Sequence, residues 1–298
     1  MNTKPIVVGY DGSPSSVAAV DWAAAEGLRT GRPVVLAHAF MQPTTPAVLP
    51  GPGVFPHMAA RRDAEDMIFQ AAAEAALSHL GVDITGVLLS GPPAVMLCEQ
   101  SRQASLIVLG NRGRGGFAQL LLGSTGVAVS AHAHCPVVVV RGDRQPSEAP
   151  VLVGVDGSPS SVQALRYAFE QALDRAVQLN VVRAWNTPTP TRMPSDVLQD
   201  IVAAEQAELD EELTAWQAKY PDVEVTGEVV ADLASRVLVQ GSRDAQLVVV
   251  GSRGRGGFRG LLLGSVSQQL LHHSHCPVAV IRELPDTEIE EEIAETAF

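Results

Sequence analysis

Residues 106–124, LIVLGNRGRGGFAQLLLGS, and residues 247–265, LVVVGSRGRGGFRGLLLGS, are near-copies of each other within one chain of 298 residues. Each runs from an apolar stretch of strand character into a glycine-rich loop, then through a further glycine and a serine into what reads as the start of a helix. Glycines let a backbone approach a ligand with no Cβ in the way. Exposed N–H groups of such a turn make an anion nest, and the following helix start adds donors and the positive end of its dipole. The stretch therefore predicts a phosphate-binding turn at the end of a strand, carried twice.

The duplication spreads outward from these loops. VVGYDGSPSSVAAVDWA, from Val7, recurs as LVGVDGSPSSVQALRYA, from Leu152, at an offset of 145 residues. The glycine loops, and HCPVVVVR from His134 with HCPVAVIR from His275, recur at 141. The second copy has thus lost four residues, best placed in the Pro-rich stretch Met41–Pro56 because surface loops tolerate deletion. Two homologous domains follow, 1–143 and 151–283, joined by a linker at 144–150 within RGDRQPSEAP and trailed by an acidic tail at 284–298.

Within the first copy, strands are expected at Pro5–Tyr10, Pro33–Phe40, Val82–Ser90, Ser105–Gly110 and Pro136–Arg141. Helices are expected from Ser13-Pro14 to about Thr30, over His57–Leu80, over Pro93–Gln103 and over Ser124–Ala133. Strands joined by helices of this length imply a parallel sheet with helices on both faces. Ligands of such sheets sit at the carboxyl ends of the strands where the winding reverses. If the first and fourth strands are neighbours, Asp11 and the glycine loop converge on one crevice.

Composition removes other classes. The chain is 46% hydrophobic but only 4% aromatic, and its apolar runs are too short and too often interrupted to span a bilayer. The N-terminal residues show no signal peptide, so a cytoplasmic location is expected. The net charge is −12, of which seven acids fall in the last sixteen residues, so the body carries about −5. That balance argues against a phosphate-backbone binder and hence against nucleic acid. The tail reads as a solvated end, with Ile289, Ile293 and Ala297 leaving open a short amphipathic helix for a protein partner. Cys98, Cys135 and Cys276 lack CxxC spacing and read as small apolar residues, with neither a disulfide framework nor a zinc site indicated.

Two common phosphate loops do not fit. A Walker loop requires GxxxxGK[ST], and the two lysines, Lys4 and Lys219, are not next to a glycine loop. A dinucleotide fingerprint requires GxGxxG directly after the first strand, where GYDGS and GVDGS stand instead. What remains is G-x2-G-x9-G-S, at Gly110, Gly113, Gly123 and Ser124, and again at Gly251, Gly254, Gly264 and Ser265. Together with the strand-Asp-Gly-Ser opening, it resembles the ATP-binding class of the universal stress proteins, in a tandem form covering nearly everything but the tail.

The resemblance implies two Rossmann-like domains of the adenine nucleotide hydrolase-like type, each a five-stranded, mostly parallel sheet with helices on both faces. It implies that Asp11 and Asp156 lie by a ribose, each preceded by a close-approach glycine, Gly9 and Gly154. Backbone near Ala39 and Ala184 would read the adenine edge. The loops Gly110, Asn111, Arg112, Gly113, Arg114, Gly115 and Gly116, and Gly251, Ser252, Arg253, Gly254, Arg255, Gly256 and Gly257, would wrap a triphosphate. Gly123 and Ser124, with Gly264, Ser265 and Val266, would close over it. A magnesium or manganese ion would be held by the phosphates and not by the protein. Two ATP sites per chain are expected, the second with the shorter RAWNTPTP in its adenine region, which leaves open whether the two affinities are equal. The arginines are equally readable as phosphate contacts or as solvated, and Asp-Gly-Ser is also a common turn former.

Hydrolysis needs a positioned base, and no His, Glu or Asp lies in or beside either loop, while Ser124 and Ser265 have no base partner in sequence. Metal ligation by His132 or by the histidines from His272 onward is not favoured, since residues two apart on a helix do not share a face. An ATP-dependent regulator is thus the first reading and a slow ATPase or phosphotransfer enzyme the alternative; a nucleotide-free scaffold is disfavoured by two intact loops. Resemblance also implies pairing through the Val-rich last strands, Pro136–Arg141 and Pro277–Arg282, within the chain and in a homodimer.

Overall fold

The computed structural model describes residues 3–41, 56–113, 123–142, 147–185, 195–256 and 263–283. The chain divides into two compact units, Met1–Asp143 with Leu271–Val278, and Arg144–Leu270 with Ala279–Phe298. The first repeat runs β1 (Ile6–Gly9), α1 (Pro14–Thr30), β2 (Val34–Phe40), α2 (Pro56–Ser78), β3 (Ile84–Ser90), α3 (Pro93–Gln100), β4 (Leu106–Gly110), α4 (Ser124–His132) and β5 (Val137–Val140). The second runs β6 (Val151–Val155), α5 (Pro159–Arg175), β7 (Leu179–Ala184), α6 (Ser195–Gln217), β8 (Val225–Val230), α7 (Ala234–Gly241), β9 (Leu247–Gly251), α8 (Ser265–His273) and β10 (Val278–Ile281).

The first repeat orders its strands β3-β2-β1-β4-β5, and the second orders its own β8-β7-β6-β9-β10. β1 is hydrogen-bonded to β2 on one side and β4 on the other, both parallel, as β6 is to β7 and β9. The winding therefore reverses beside the first strand of each repeat. Four of the five residues of β4 are buried, and so are four of five in β9. Near-continuous burial without alternation means that both faces of these central strands are covered. Some ends fall short of the sequence expectation. α3 stops at Gln100 instead of Gln103 because the next residues tighten into i→i+3 turns, Arg102 N–H to Glu99 O at 3.3 Å and Gln103 N–H to Gln100 O at 3.1 Å.

The first helix of each repeat is fixed at its start by the same device. Ser13 and Ser158 are N-caps whose hydroxyls accept from the amides of Ser16 and Ser161 at 3.2 and 3.3 Å, and Pro14 and Pro159 follow in the first turn. Ala19, Val20, Ala23, Ala24 and Gly27 make the buried stripe of α1. In α5, Phe169 replaces the small Ala24 and is fully buried, stacked on Trp216 and Tyr220 with ring centroids 5.7 and 5.2 Å away. The outer edge of β8 is covered by one side chain: the Gln206 carboxamide donates to Gly227 O at 3.0 Å and accepts from Val229 N–H at 2.9 Å, as a neighbouring strand would.

The helix ends differ in a way that can be measured. α1 ends on Gly31 at φ 67°, whereas α5 ends on Ala176 at φ 51°. The left-handed region costs an L-residue about 1 kcal/mol or more, part of which glycine gives back in the unfolded chain. Ala176→Gly is expected to raise unfolding free energy by about 0.5 kcal/mol, read as a higher urea midpoint; a lower midpoint would contradict this account of the cap.

Candidate nucleotide-binding sites

Each first strand ends in an Asp-Gly-Ser turn that aims its carboxylate at the glycine loop. Gly12 and Gly157 sit at φ 76° and 71°, a conformation other residues rarely adopt. The turn brings Ser13 N–H to Asp11 Oδ1 and Ser158 N–H to Asp156 Oδ1, each at 3.0 Å. Opposite, β4 and β9 run out into the glycine loops, whose bases are tied across: Gly123 N–H donates to Asn111 O at 3.1 Å, and Gly264 N–H to Ser252 O at 2.8 Å. The loop mouth thus opens at the N-termini of α4 and α8, with Gly123 as the N-cap of α4.

The aspartates and loops do meet. A Cβ on Gly113 would stand 2.7 Å from Asp11 Oδ2, and one on Gly254 would collide with Asp156 Oδ2. Asp156 Oδ2 accepts the Arg255 amide at 2.8 Å, while its Oδ1 also accepts the Ser158 hydroxyl at 2.6 Å. Partial burial disfavours charge on Asp156, but hydrogen bonds from the Ser158 hydroxyl, the Arg255 and Ser158 amides and the Ser161 hydroxyl outweigh it. The carboxyl is held below its usual value.

The glycines divide by what their missing side chains would strike. Gly110 lies against the first turn of α1, where a Cβ would come within 2.5 Å of the Ser15 carbonyl; Gly251 abuts Ser160 in the same way, at 2.6 Å from its hydroxyl. Gly9 and Gly154 are filled from beneath by leucines, Leu109 at 2.5 Å with Leu97, and Leu238 at 2.6 Å. These four are dictated by packing of helices onto the sheet. Gly113, Gly123, Gly254 and Gly264 instead border the loop mouth: among the described residues a Cβ on Gly123 would meet only Gly113 N, at 3.9 Å, and one on Gly264 would meet Arg253 Cα and Ser252 O at 3.4 Å and Gly254 N at 3.7 Å.

Backbone alternation places the other residues. Phe40 O accepts Gly91 N–H, toward β3, so the polar groups of Ala39 face β1; Trp185 N–H reaches Val230 O, toward β8, so those of Ala184 face β6. Both lie near the carboxyl ends of β2 and β7 with their polar groups turned toward the first strand of the repeat. Ser124 and Ser265 begin α4 and α8, and Val266 follows in the first turn of α8. Arg112, Arg253, Arg255 and Gly256 are exposed. Arg114, Gly115, Gly116 and Gly257 lie outside the described residues, as does the tail from 284 onward.

Against known proteins, the model of the universal stress protein family matches residues 2–141 and again 149–282. The chain belongs to the universal stress protein family. Universal stress protein Rv2005c of Mycobacterium tuberculosis is 38% identical over 286 residues, covering 93% of this chain and 97% of its own. Universal stress protein Rv2623 of the same organism is 37% identical over 286 residues, covering 93% and 96%. Among solved structures, a universal stress protein from Archaeoglobus fulgidus superposes with a TM-score of 0.67 over 95% of this chain and 98% of that one, at 20% identity. The tandem stress-protein fold read from the two loops is thus the fold of this chain.

Sequence reasoning missed one set of residues in these stress-protein repeats. Ser15 donates its hydroxyl to Arg112 O at 2.5 Å, joined by Ser13 at 3.3 Å, and Ser160 donates likewise to Arg253 O. The signal was present in the repeated DGSPSS, read only for its helix cap. Of the three cysteines, Cys135 and Cys276 are buried and Cys98 partly so, and none is in a disulfide. Among the described residues no cluster of His, Cys, Asp or Glu is placed to hold a metal ion, and no helix is long and apolar enough to cross a membrane.

The depressed Asp156 value has a sign that can be tested. A carboxyl lowered below its unfolded value of about 3.9 contributes stability that is present above about pH 4 and lost as pH falls through the lowered folded value. Asp156→Asn is expected to lower the urea midpoint at neutral pH, with the gap to the parent closing below about pH 3. A gap constant across that range would show that the carboxylate charge is not what the loop binds.

Proposed function

We propose that this chain is an ATP-binding universal stress protein, a nucleotide-dependent regulator with one site in each repeat. The carrying observation is that a carboxylate, a glycine loop and a helix N-terminus converge at the carboxyl ends of the strands where the winding reverses, twice, in matching detail. Asp11 and Asp156 would flank the ribose, and the backbone at Ala39 and Ala184 would face the base. The amides bordering Gly113, Gly123, Gly254 and Gly264 would receive the phosphates, with the exposed arginines close by. A magnesium or manganese ion would travel with the phosphates and supply charge neutralisation there. Homodimerisation, a cytoplasmic setting and a regulatory protein partner complete the reading.

Regulation fits better than turnover. His38, at the crevice end of β2, gives its Nδ1 to Tyr10 O at 2.8 Å, and Arg183 takes its place in the second repeat. A base needed at both sites would have to be shared by both. Bound nucleotide would instead set the conformation presented to a partner.

The first test is the nucleotide content of the purified protein, released by denaturation and separated by ion exchange. Close to two ATP per chain is expected. A preponderance of ADP would favour the slow ATPase, and no nucleotide, with added magnesium-ATP also failing to bind, would sink the reading. A second test uses the loop mouth. Gly123→Ala with Gly264→Ala should cost under about 1 kcal/mol of stability yet weaken ATP binding about tenfold or more at both sites. Unaltered calorimetric binding in that variant would remove the phosphates from this mouth.

A further inference from the structure

Ser15 and Ser160 occupy the second position of their helices and spend their hydroxyls on one loop carbonyl each, Arg112 O at 2.5 Å and Arg253 O. The carbonyl so held belongs to the peptide linking that arginine to Gly113 or Gly254. In a trans peptide the C=O and N–H point in opposite directions, and no cis bond is present. Anchoring the oxygen on α1 or α5 therefore turns the Gly113 or Gly254 N–H the other way. On that side lies the N-terminus of the next helix, where the Cβ position of Gly123 is 3.9 Å from Gly113 N and that of Gly264 is 3.7 Å from Gly254 N.

Glycine makes this anchoring consequential. A peptide followed by glycine can rotate by half a turn, since the flipped state requires a positive φ that glycine alone takes readily. Neither Gly113 nor Gly254 has positive φ here. The unflipped state is the one with the serine bonds made.

We propose that Ser15 and Ser160 are positioning residues that lock the Arg112–Gly113 and Arg253–Gly254 peptides with their N–H groups aimed into the loop mouth, so that a phosphate meets a preformed donor. Ser13 adds a longer bond to the Arg112 carbonyl, at 3.3 Å, but the N-cap hydroxyls also cap the helices, and Ser158 gives its one proton to Asp156 Oδ1 at 2.6 Å. Ser15 and Ser160 carry the lock without that second duty. This role rests on the nucleotide reading above, and it predicts an effect confined to the phosphate end of the ligand.

The test compares ATP with adenosine, both titrated calorimetrically in the presence of magnesium, on the full chain and on the Ser15→Ala, Ser160→Ala and doubly substituted chains. Loss of a preformed donor is expected to cut ATP affinity about tenfold, so the ratio of ATP to adenosine affinity falls about tenfold at both sites of the double variant. Each single variant should keep one site of parental affinity and weaken the other, with the melting temperature within a few degrees of the parent. An unchanged ratio in the double variant, whether both affinities hold or both fall together, would overturn the lock. Failure of the unsubstituted chain to bind magnesium-ATP would overturn the nucleotide reading itself.

Discussion

The construction of each site depends on how closely the first helix approaches the end of the fourth strand of its repeat. A Cβ on Gly110 would lie 2.5 Å from Ser15 C and O, and one on Gly251 would lie 2.6 Å from Ser160 Oγ, so only glycine lets the two elements touch. The contact brings the start of α1 or α5 against the base of the loop. From there the serines reach the loop carbonyl, and the Asp-Gly-Ser turn sets its carboxylate against the loop. Substituting the strand-end glycine would push away the helix start together with everything attached to it. Gly110 and Gly251 are thus requirements of the fold before they can be requirements of a ligand.

Much of this was legible in the sequence because it is repetitive and local. The apolar strands, the Ser-Pro helix starts and the spacing G-x2-G-x9-G-S each fix a short segment, and their recurrence at constant offsets shows that the segments belong to one domain. What the pattern could not separate was the duties of the glycines. Gly9, Gly110 and Gly113 look alike in sequence, yet one accommodates leucines from α3 and β4, one the backbone of α1, and one a carboxylate. The separation depends on which elements pack across the sheet. Ser15 and Ser160 escaped notice for a related reason: a serine in a first helical turn is usual, and its partner carbonyl is nearly a hundred residues away.

The two repeats keep the site while changing what surrounds it. His38 in the first is Arg183 in the second, where it pairs with Glu212 at 2.6 Å. The small Ala24 is exchanged for Phe169 in a three-ring stack, and Lys219 lies over Trp216 at 4.9 Å. Cores tolerate such exchanges when volume is compensated by a neighbour. The Asp, the serine pair and the glycines of strand end and mouth are unchanged between copies, and the helix packing that demands the strand-end glycines does not demand those of the mouth. Sameness at the loop mouth, where packing does not demand it, points to a constraint imposed from within the crevice.

That constraint has an electrostatic consequence. Asp156 already occupies one loop amide, that of Arg255, and the hydrogen bonds it accepts favour its ionised form against its own burial. A polyphosphate entering the same mouth therefore meets a fixed negative charge a few ångströms away. Like charges at that separation repel by several kcal/mol unless screened or neutralised. The exposed guanidinium groups can answer part of this, but flexible surface arginines are weakly organised. On the proposed reading, a ligand that brought its own divalent cation would answer it directly, since the cation would neutralise the phosphates and leave the carboxylate for a neutral hydroxyl. On the reading proposed above, such a mouth would suit a metal-bound nucleotide better than free phosphate.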